Sequence, residues 1–356
     1  MAQSAASQHS LRNACRGWTA ESHRTSVDRA NATVAHVNPP RGVRLSLTPH
    51  CNMRCFYCRP SGARAEARQE SRLGPPEWER LAEALAARGV HRVRLTGGEP
   101  LLAPNVLEIV ERIADTAPVD LAMTTNGSEL ERLAPQLVRA GLRRVNISLD
   151  SLRSERFVQI TGGGRLEGVL RGVEAALDAG FSEIKLNTVV MRGLNDDELG
   201  NIVDYAWARG LTPRFIELMG VGQARALLAR HAMTSSEVRV RLGNRLGQHR
   251  PVAEPRRGPA RYVTSRDGAR RVGFVSAVSE CFCGECDRLR VSSDGALRAC
   301  LALPSAVALG DALRNEGAFD AVGRALERVW KLKPGLAWHG CRECTAAFVS
   351  MAASGG

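Results

Sequence analysis

Lysine is almost missing from this 356-residue chain, which carries only Lys185, Lys331 and Lys333. Its basic character, a formal charge of +12 and a pI near 9.8, therefore rests on arginine. Such a skew reflects base composition in the coding sequence more than a partner, and a compact phosphorylated ligand accounts for selected arginines as well as a polyanion would. Aromatic residues are scarce too, at 4%. That removes the stacking platform a single-stranded nucleic acid needs, and no nucleic-acid motif is present, so no such partner is expected. No apolar run approaches the ~18 residues of a membrane span. The N-terminus lacks the apolar stretch of a secretory signal. Ten cysteines in that setting point to metal or redox use in a reducing cytoplasm rather than to disulfides.

What is present is a repeated alternation of short β-branched runs and longer helical patterns. Residues 1–38, rich in Ser, Ala, Asn and Arg without a period, read as a disordered extension. From about 41, strands are expected at Val43–Thr48, Arg92–Thr96, Asp120–Thr124, Arg144–Leu149, Glu183–Val190 and Pro213–Leu218. Helices are expected between them at Pro75–Arg88, Asn105–Thr116, Glu129–Ala140, Leu166–Ala179 and Asp196–Arg209, four of them closed by a glycine at the C′ position: Gly89, Gly141, Gly180 and Gly210. Repeated βα units argue for a parallel sheet with right-handed crossovers. Six strands fall short of a full eight-fold barrel, so the fold class is α/β, a partial, open (β/α)6 barrel over residues 41–219. After 220 the rhythm changes. An Arg-rich stretch, a hairpin around Asp267-Gly268, a cysteine-rich segment and a helix at Ala318–Trp330 read as an elaboration over the barrel mouth.

Cys51, Cys55 and Cys58 follow the first strand in C-x3-C-x2-C spacing. Three thiolates this close can hold three irons of a [4Fe–4S] cluster and leave the fourth open to a small ligand, whereas a cluster that only carries electrons normally has four protein ligands. Structural zinc, the alternative, wants four ligands, often as two C-x2-C pairs, and one such pair lies here. Cys283, Cys286 and Cys300 form a second set of three. Beside it Arg288 and Arg290 share one side of an extended segment, an anion clamp. Cys15, in the N-terminal extension, is read as incidental, and Cys281, Cys341 and Cys344 are left over; Cys341-x2-Cys344 could ligate zinc or iron, or simply pack. Thr96-Gly97-Gly98-Glu99-Pro100, Thr124-Thr125-Asn126-Gly127 and Ser148-Leu149-Asp150 each sit at the carboxyl end of a strand, the rim where parallel βα folds place their chemistry.

Cys51–Cys58 with its aromatics, followed by Gly97-Gly98-Glu99-Pro100, resembles the radical SAM superfamily. With the second triad, Arg288, Arg290 and the terminal Gly355-Gly356, residues 41 to 356 are similar to the GTP 3′,8-cyclases, which open molybdenum cofactor biosynthesis. Arg44–Thr48, Asn146–Asp150, Lys185-Leu186-Asn187, Gly193–Glu198 and Arg214–Met219 also match. The resemblance implies a radical SAM barrel with a C-terminal auxiliary-cluster region, two [4Fe–4S] clusters, and S-adenosylmethionine. It implies conversion of GTP to (8S)-3′,8-cyclo-7,8-dihydroguanosine 5′-triphosphate, in which a 5′-deoxyadenosyl radical takes hydrogen from C3′ and C3′ then attacks C8.

By the same resemblance, Cys51, Cys55 and Cys58 hold the first cluster. Cys283, Cys286 and Cys300 hold the second, whose open iron anchors the guanine. Tyr57, Gly97, Gly98, Glu99, Thr125, Asn126, Ser148 and Met219 line the S-adenosylmethionine site. Arg44, Arg94, Lys185, Arg288 and Arg290, with Arg92 as a further candidate, bind GTP or a related nucleotide. Gly355 and Gly356 form a tail inside the active site. The expected partners are a reducing electron donor, a downstream enzyme that takes the product, and a second copy in a homodimer. The chain departs from the family's usual residues at Pro49-His50, Arg59, Asp287, Ala302 and His339-Gly340-Cys341. These positions bear on the substrate more than on the radical chemistry. The alternative is a related radical SAM enzyme acting on another nucleotide or on a peptide in a specialised pathway. The open cluster corners and the Gly-Gly-Glu-Pro motif argue against a non-catalytic iron–sulfur or zinc module.

Overall fold

Strand β5 (Glu183–Val190) shows how the sequence builds the molecule. Ile184, Leu186, Thr188 and Val190 are buried, while Glu183, Lys185, Asn187 and Val189 between them are only partly covered and line a central cavity. A strand's side chains alternate between faces, so one face takes the apolar helix layer and the other the cavity. The same logic runs through β1 (Gly42–Ser46), β2 (Arg92–Thr96), β3 (Asp120–Thr125), β4 (Arg144–Ser148) and β6 (Thr212–Glu217). These strands pair in parallel in chain order, β1 to β6. The structure, a computed structural model, describes residues 39–58, 72–116, 119–221, 224–251, 258–280, 282–301, 303, 305–315 and 317–333. The N-terminal extension expected over 1–38 lies outside them.

Helices α1 (Pro75–Ala86), α2 (Val106–Asp115), α3 (Leu130–Arg139), α4 (Ser154–Thr161), α5 (Leu166–Asp178) and α6 (Leu199–Ala208) connect the strands. In α2 the buried residues are Val106, Ile109, Val110 and Ile113, the spacing of a single apolar stripe. Such stripes join Leu45, Leu95, Met123, Ile147 and Leu186 from the sheet in one core with Trp78, Leu85, Leu137 and Val173. Gly89 and Gly141 end α1 and α3 at φ of 85° and 94°, a conformation open to glycine. The open, partial α/β barrel expected from the sequence is the architecture observed.

The segment after 220 does something the sequence pattern did not suggest. It contributes α7 (Ala224–His231), α8 (Ser235–Leu242), β7 (Leu246–Pro251), the hairpin β8 (Arg261–Ser265) and β9 (Arg271–Val275), then β10 (Arg288–Val291), β11 (Ala296–Arg298), β12 (Val307–Ala308), α9 (Gly310–Arg314) and α10 (Ala318–Trp330). Strand β9 pairs in parallel with β6, and β10 pairs in parallel with β1. Among the described residues the result is one twelve-stranded sheet, β12-β11-β10-β1-β2-β3-β4-β5-β6-β9-β8-β7. Rather than only covering the mouth, this segment satisfies the backbone groups that both edges of the six-stranded core would otherwise expose. The sequence division at 219/220 therefore marks a change of topology, with no break in the sheet.

Glu217 fastens that arrangement. It is buried at the end of β6 and accepts from the backbone N–H groups of Ser235 (2.7 Å), Val278 (2.8 Å) and Ser279 (2.8 Å), and from the Ser279 hydroxyl. One carboxylate thus holds the start of α8 and the chain leading to the second cysteine set. Among the described residues, no helix is long and apolar enough to cross a membrane.

Candidate active site

The first cysteine loop leaves β1 and lies against the loop after β2. Gly97 and Gly98 permit that approach. A Cβ on Gly98 would stand 2.5 Å from the His50 carbonyl carbon and 2.7 Å from the Pro49 oxygen; one on Gly97 would stand 2.6 Å from the Thr48 oxygen. The Gly98 N–H donates to Thr48 O and the Glu99 N–H to His50 O, each at 2.6 Å. The residue before Cys51 is thereby clamped.

Glu99 carries the clamp to the next strand. Its buried carboxylate accepts from Leu101 N (3.1 Å), Thr125 Oγ1 (2.6 Å) and Asn126 N (2.7 Å). Burial raises its pKa to about 7 against these donors. The Asn126 amide then reaches Asn52 Oδ1 at 2.8 Å and Cys51 Sγ at 3.8 Å, and Met53 N donates to Cys51 Sγ at 3.4 Å. Tyr57 holds the far end of the loop: its hydroxyl donates to Asp150 Oδ2 at 2.6 Å, while Asp150 Oδ1 accepts from Val189 N at 2.8 Å. Burial lifts Asp150 to about 6 and Tyr57 well above the usual tyrosine value.

The second set sits on a turn over Cys283–Glu285 and on the flanks of β10 and β11. Arg288 and Arg290 occupy the same side of β10, as their spacing predicts, and Arg288 stacks over Phe282 at 5.2 Å. Burial would raise the Cys286 thiol, but Arg288 and Lys333 outweigh it and bring it down to about 7, which favours the ligating thiolate.

Because β1 lies between β10 and β2, Arg44 is in register with Arg290 on one side and Arg94 on the other. Burial and its neighbours Arg290, Arg288, Arg94 and Arg214 press Arg44 well below the usual arginine value. Burial and Arg214 bring Arg94 to about 9; burial and Arg288 bring Arg290 to about 10. Guanidiniums stay charged in proteins, so this layer is a strong attractant for an anion. Arg214 donates to Asn146 Oδ1 (2.7 Å) and Asn187 Oδ1 (2.8 Å). Arg92 pairs with Asp287.

These groups surround one cavity of about 950 Å³, at the upper end of the range for small-molecule sites. All six cysteines line it. So does every described residue that the sequence singled out for S-adenosylmethionine, from Tyr57 to Met219, or for the nucleotide, from Arg44 to Arg290. Gly355, Gly356, Cys281, Cys341 and Cys344 lie outside the described residues. Arg144, Glu183, Tyr262 and Arg271, which the sequence did not single out, also line the cavity, as do Asp150 and Arg214, which lay in recognised motifs without an assigned role. A signal for several of them was available: polar residues at every second position in Arg144-Val145-Asn146-Ile147-Ser148 and Glu183-Ile184-Lys185-Leu186-Asn187.

The donor chemistry fits two iron–sulfur clusters. Each set offers three thiols to the cavity, and in the first set the Cys51 sulfur receives the hydrogen bonds that tune a cluster. Among the described residues, no three His, Cys, Asp or Glu side chains are placed to share a single metal ion.

Residues 45–206 match the radical SAM superfamily, and residues 211–337 match the family described as Molybdenum Cofactor Synthesis C. The GTP 3′,8-cyclase of Heliobacterium modesticaldum is 40% identical over 296 residues, covering 82% of this chain and 90% of that protein. That of Marinobacter nauticus is 41% identical over 309 residues, covering 86% and 92%, and GTP 3′,8-cyclase 1 of Pseudomonas aeruginosa is 43% identical over 295, covering 80% and 88%. Among solved structures, SuiB of Streptococcus suis bound to S-adenosylmethionine superposes with a TM-score of 0.60 at 12% identity, over 88% of this chain and 71% of that one; this likeness concerns the fold alone. Two [4Fe–4S] clusters and S-adenosylmethionine are the cofactors that these relationships bring with them. The chain belongs to the GTP 3′,8-cyclase family of the radical SAM superfamily.

Proposed function

We propose that this chain converts GTP to (8S)-3′,8-cyclo-7,8-dihydroguanosine 5′-triphosphate, the first step of molybdenum cofactor biosynthesis. The observation that carries the reading is a single cavity onto which two cysteine triads open and whose wall holds Arg44, Arg94 and Arg290 in register on adjacent strands. When bound, the cofactors supply a hydrogen-abstracting 5′-deoxyadenosyl radical and an open iron for the purine.

The protein's part is to hold and orient. Arg44, Arg94, Lys185, Arg288 and Arg290 would grip the triphosphate, where planar guanidiniums bind phosphate oxygens in pairs. The Tyr57–Asp150 and Glu99–Thr125–Asn126 ties would keep the first cysteine loop rigid beside Ser148 and Met219, which line the S-adenosylmethionine site. Fixing C3′ against the abstracting carbon is the larger contribution, since a displacement of ~1 Å can cost ~100-fold in rate.

The test uses reduced, reconstituted protein with S-adenosylmethionine and GTP deuterated at C3′. Deuterium in 5′-deoxyadenosine, together with the cyclised product, is the expected result; cofactor cleavage that leaves the label in GTP would exclude the reaction. Removal of Gly355 and Gly356 is expected to abolish product while iron content stays unchanged, measured by product assay and iron analysis on the same sample. The reading also calls for a reducing electron donor, an enzyme that takes the cyclic product, and a cytoplasmic setting.

A further inference from the structure

Glu183 opens β5 with its side chain on the cavity face. One carboxylate oxygen accepts from Lys185 Nζ at 2.6 Å and faces Arg144 Nη1 at 3.5 Å; the other accepts from Arg271 Nη2 at 3.0 Å. Arg94 and Arg214 act on the same carboxylate from the neighbouring wall. The four bonded side chains keep 13–28% exposure, so the network is open to the cavity. Burial opposes its charge, yet Lys185, Arg144 and Arg271 hold the Glu183 carboxyl below its ordinary value. Asp120, paired with Arg144 from β3, is a second carboxylate at this end of the cavity. Several cations gathered around one carboxylate form an anion seat in which the protein already supplies an anion.

We propose that Glu183 is a resident counter-anion: it holds the seat formed by Lys185, Arg144 and Arg271 in the nucleotide-free protein, competes there with a polyphosphate, and so sets how tightly that end of the cavity binds one. The inference rests on reading the cavity's cationic wall as a polyphosphate site. An incoming phosphate must take Lys185 from Glu183 and then lie beside a like charge, so the carboxylate weakens the complex and hastens its release. Removing one unit charge at these separations shifts affinity by about tenfold or more.

Equilibrium binding to the reconstituted holoenzyme tests this with inorganic tripolyphosphate, GTP and GMP as probes. Glu183→Gln and Glu183→Asn, two neutral variants of different length, are expected to bind tripolyphosphate and GTP about tenfold more tightly than wild type, with GMP changed by less than about twofold. Glu183→Asp, which keeps the charge, is expected to stay near wild type. Neutral variants that bind tripolyphosphate no more tightly than wild type, or that gain as much for GMP as for GTP, overturn the proposal. Wild-type protein that binds tripolyphosphate but not GTP removes the GTP reading and leaves the counter-anion in place; wild-type protein that binds neither removes both.

Discussion

Gly98→Ala is expected to empty the first cysteine triad while the second stays filled. The new methyl group would stand 2.5 Å from the His50 carbonyl carbon and 2.7 Å from the Pro49 oxygen. Both neighbours are backbone, so no flexible side chain can swing aside, and the loop itself has to move. That movement breaks the Gly98–Thr48 and Glu99–His50 hydrogen bonds and displaces Cys51, the next residue. Iron after anaerobic reconstitution should fall from about eight to about four per chain, and S-adenosylmethionine cleavage should drop by about 100-fold or more. Gly168→Ala is the control. Its Cβ would meet nothing nearer than an arginine tip at 4.0 Å, and alanine in a helix is favourable by up to ~1 kcal/mol. Full iron content and normal cleavage in Gly98→Ala would show that the clamp does not hold the loop.

Glu217→Ala is expected to cost about 2–3 kcal/mol of stability. The change takes the acceptor from three backbone N–H groups and a hydroxyl; the buried Ser235 N–H loses its partner without gaining water, while the donors of the exposed Val278 and Ser279 regain water only in part. Glu217→Gln should recover only part of the loss, because one of its two terminal atoms is a donor facing donors. Denaturant unfolding of the protein before reconstitution measures the cost. The second cysteine set should also bind iron poorly in Glu217→Ala, since Val278 and Ser279 lead into Cys283. A loss below ~1 kcal/mol would mean that the three segments are held together by other contacts.

Local pattern carried much of this structure in advance. The six core strands, the glycines that end their helices and both cysteine triads are legible because each depends on neighbours in sequence: a period of two or 3.6, a capping position, a short spacing. The side shared by Arg288 and Arg290 follows from the same period. What stayed hidden depends on partners far along the chain. Nothing near Arg271 or Arg288 says that β9 will find β6 and that β10 will find β1. Glu183 reads as an ordinary strand residue until Arg271, 88 residues further along the chain, arrives on β9. The Gly-Gly-Glu run reads as a cofactor motif, yet its glycines and its carboxylate are first used to fasten the cysteine loop to β3.

Strand β1 lies between a neighbour made early and a neighbour made late: Gly42 pairs with Arg92 on one side and with Arg288 on the other. A chain emerging from the ribosome can therefore shape the first cysteine loop long before the strand that carries Arg288 and Arg290 exists. Until then one margin of the growing sheet stays unpaired, and the cavity wall is missing a side. The strand that closes the cavity wall is thus among the last to be made, and the sheet around both cysteine sets is complete only when it has paired with β1.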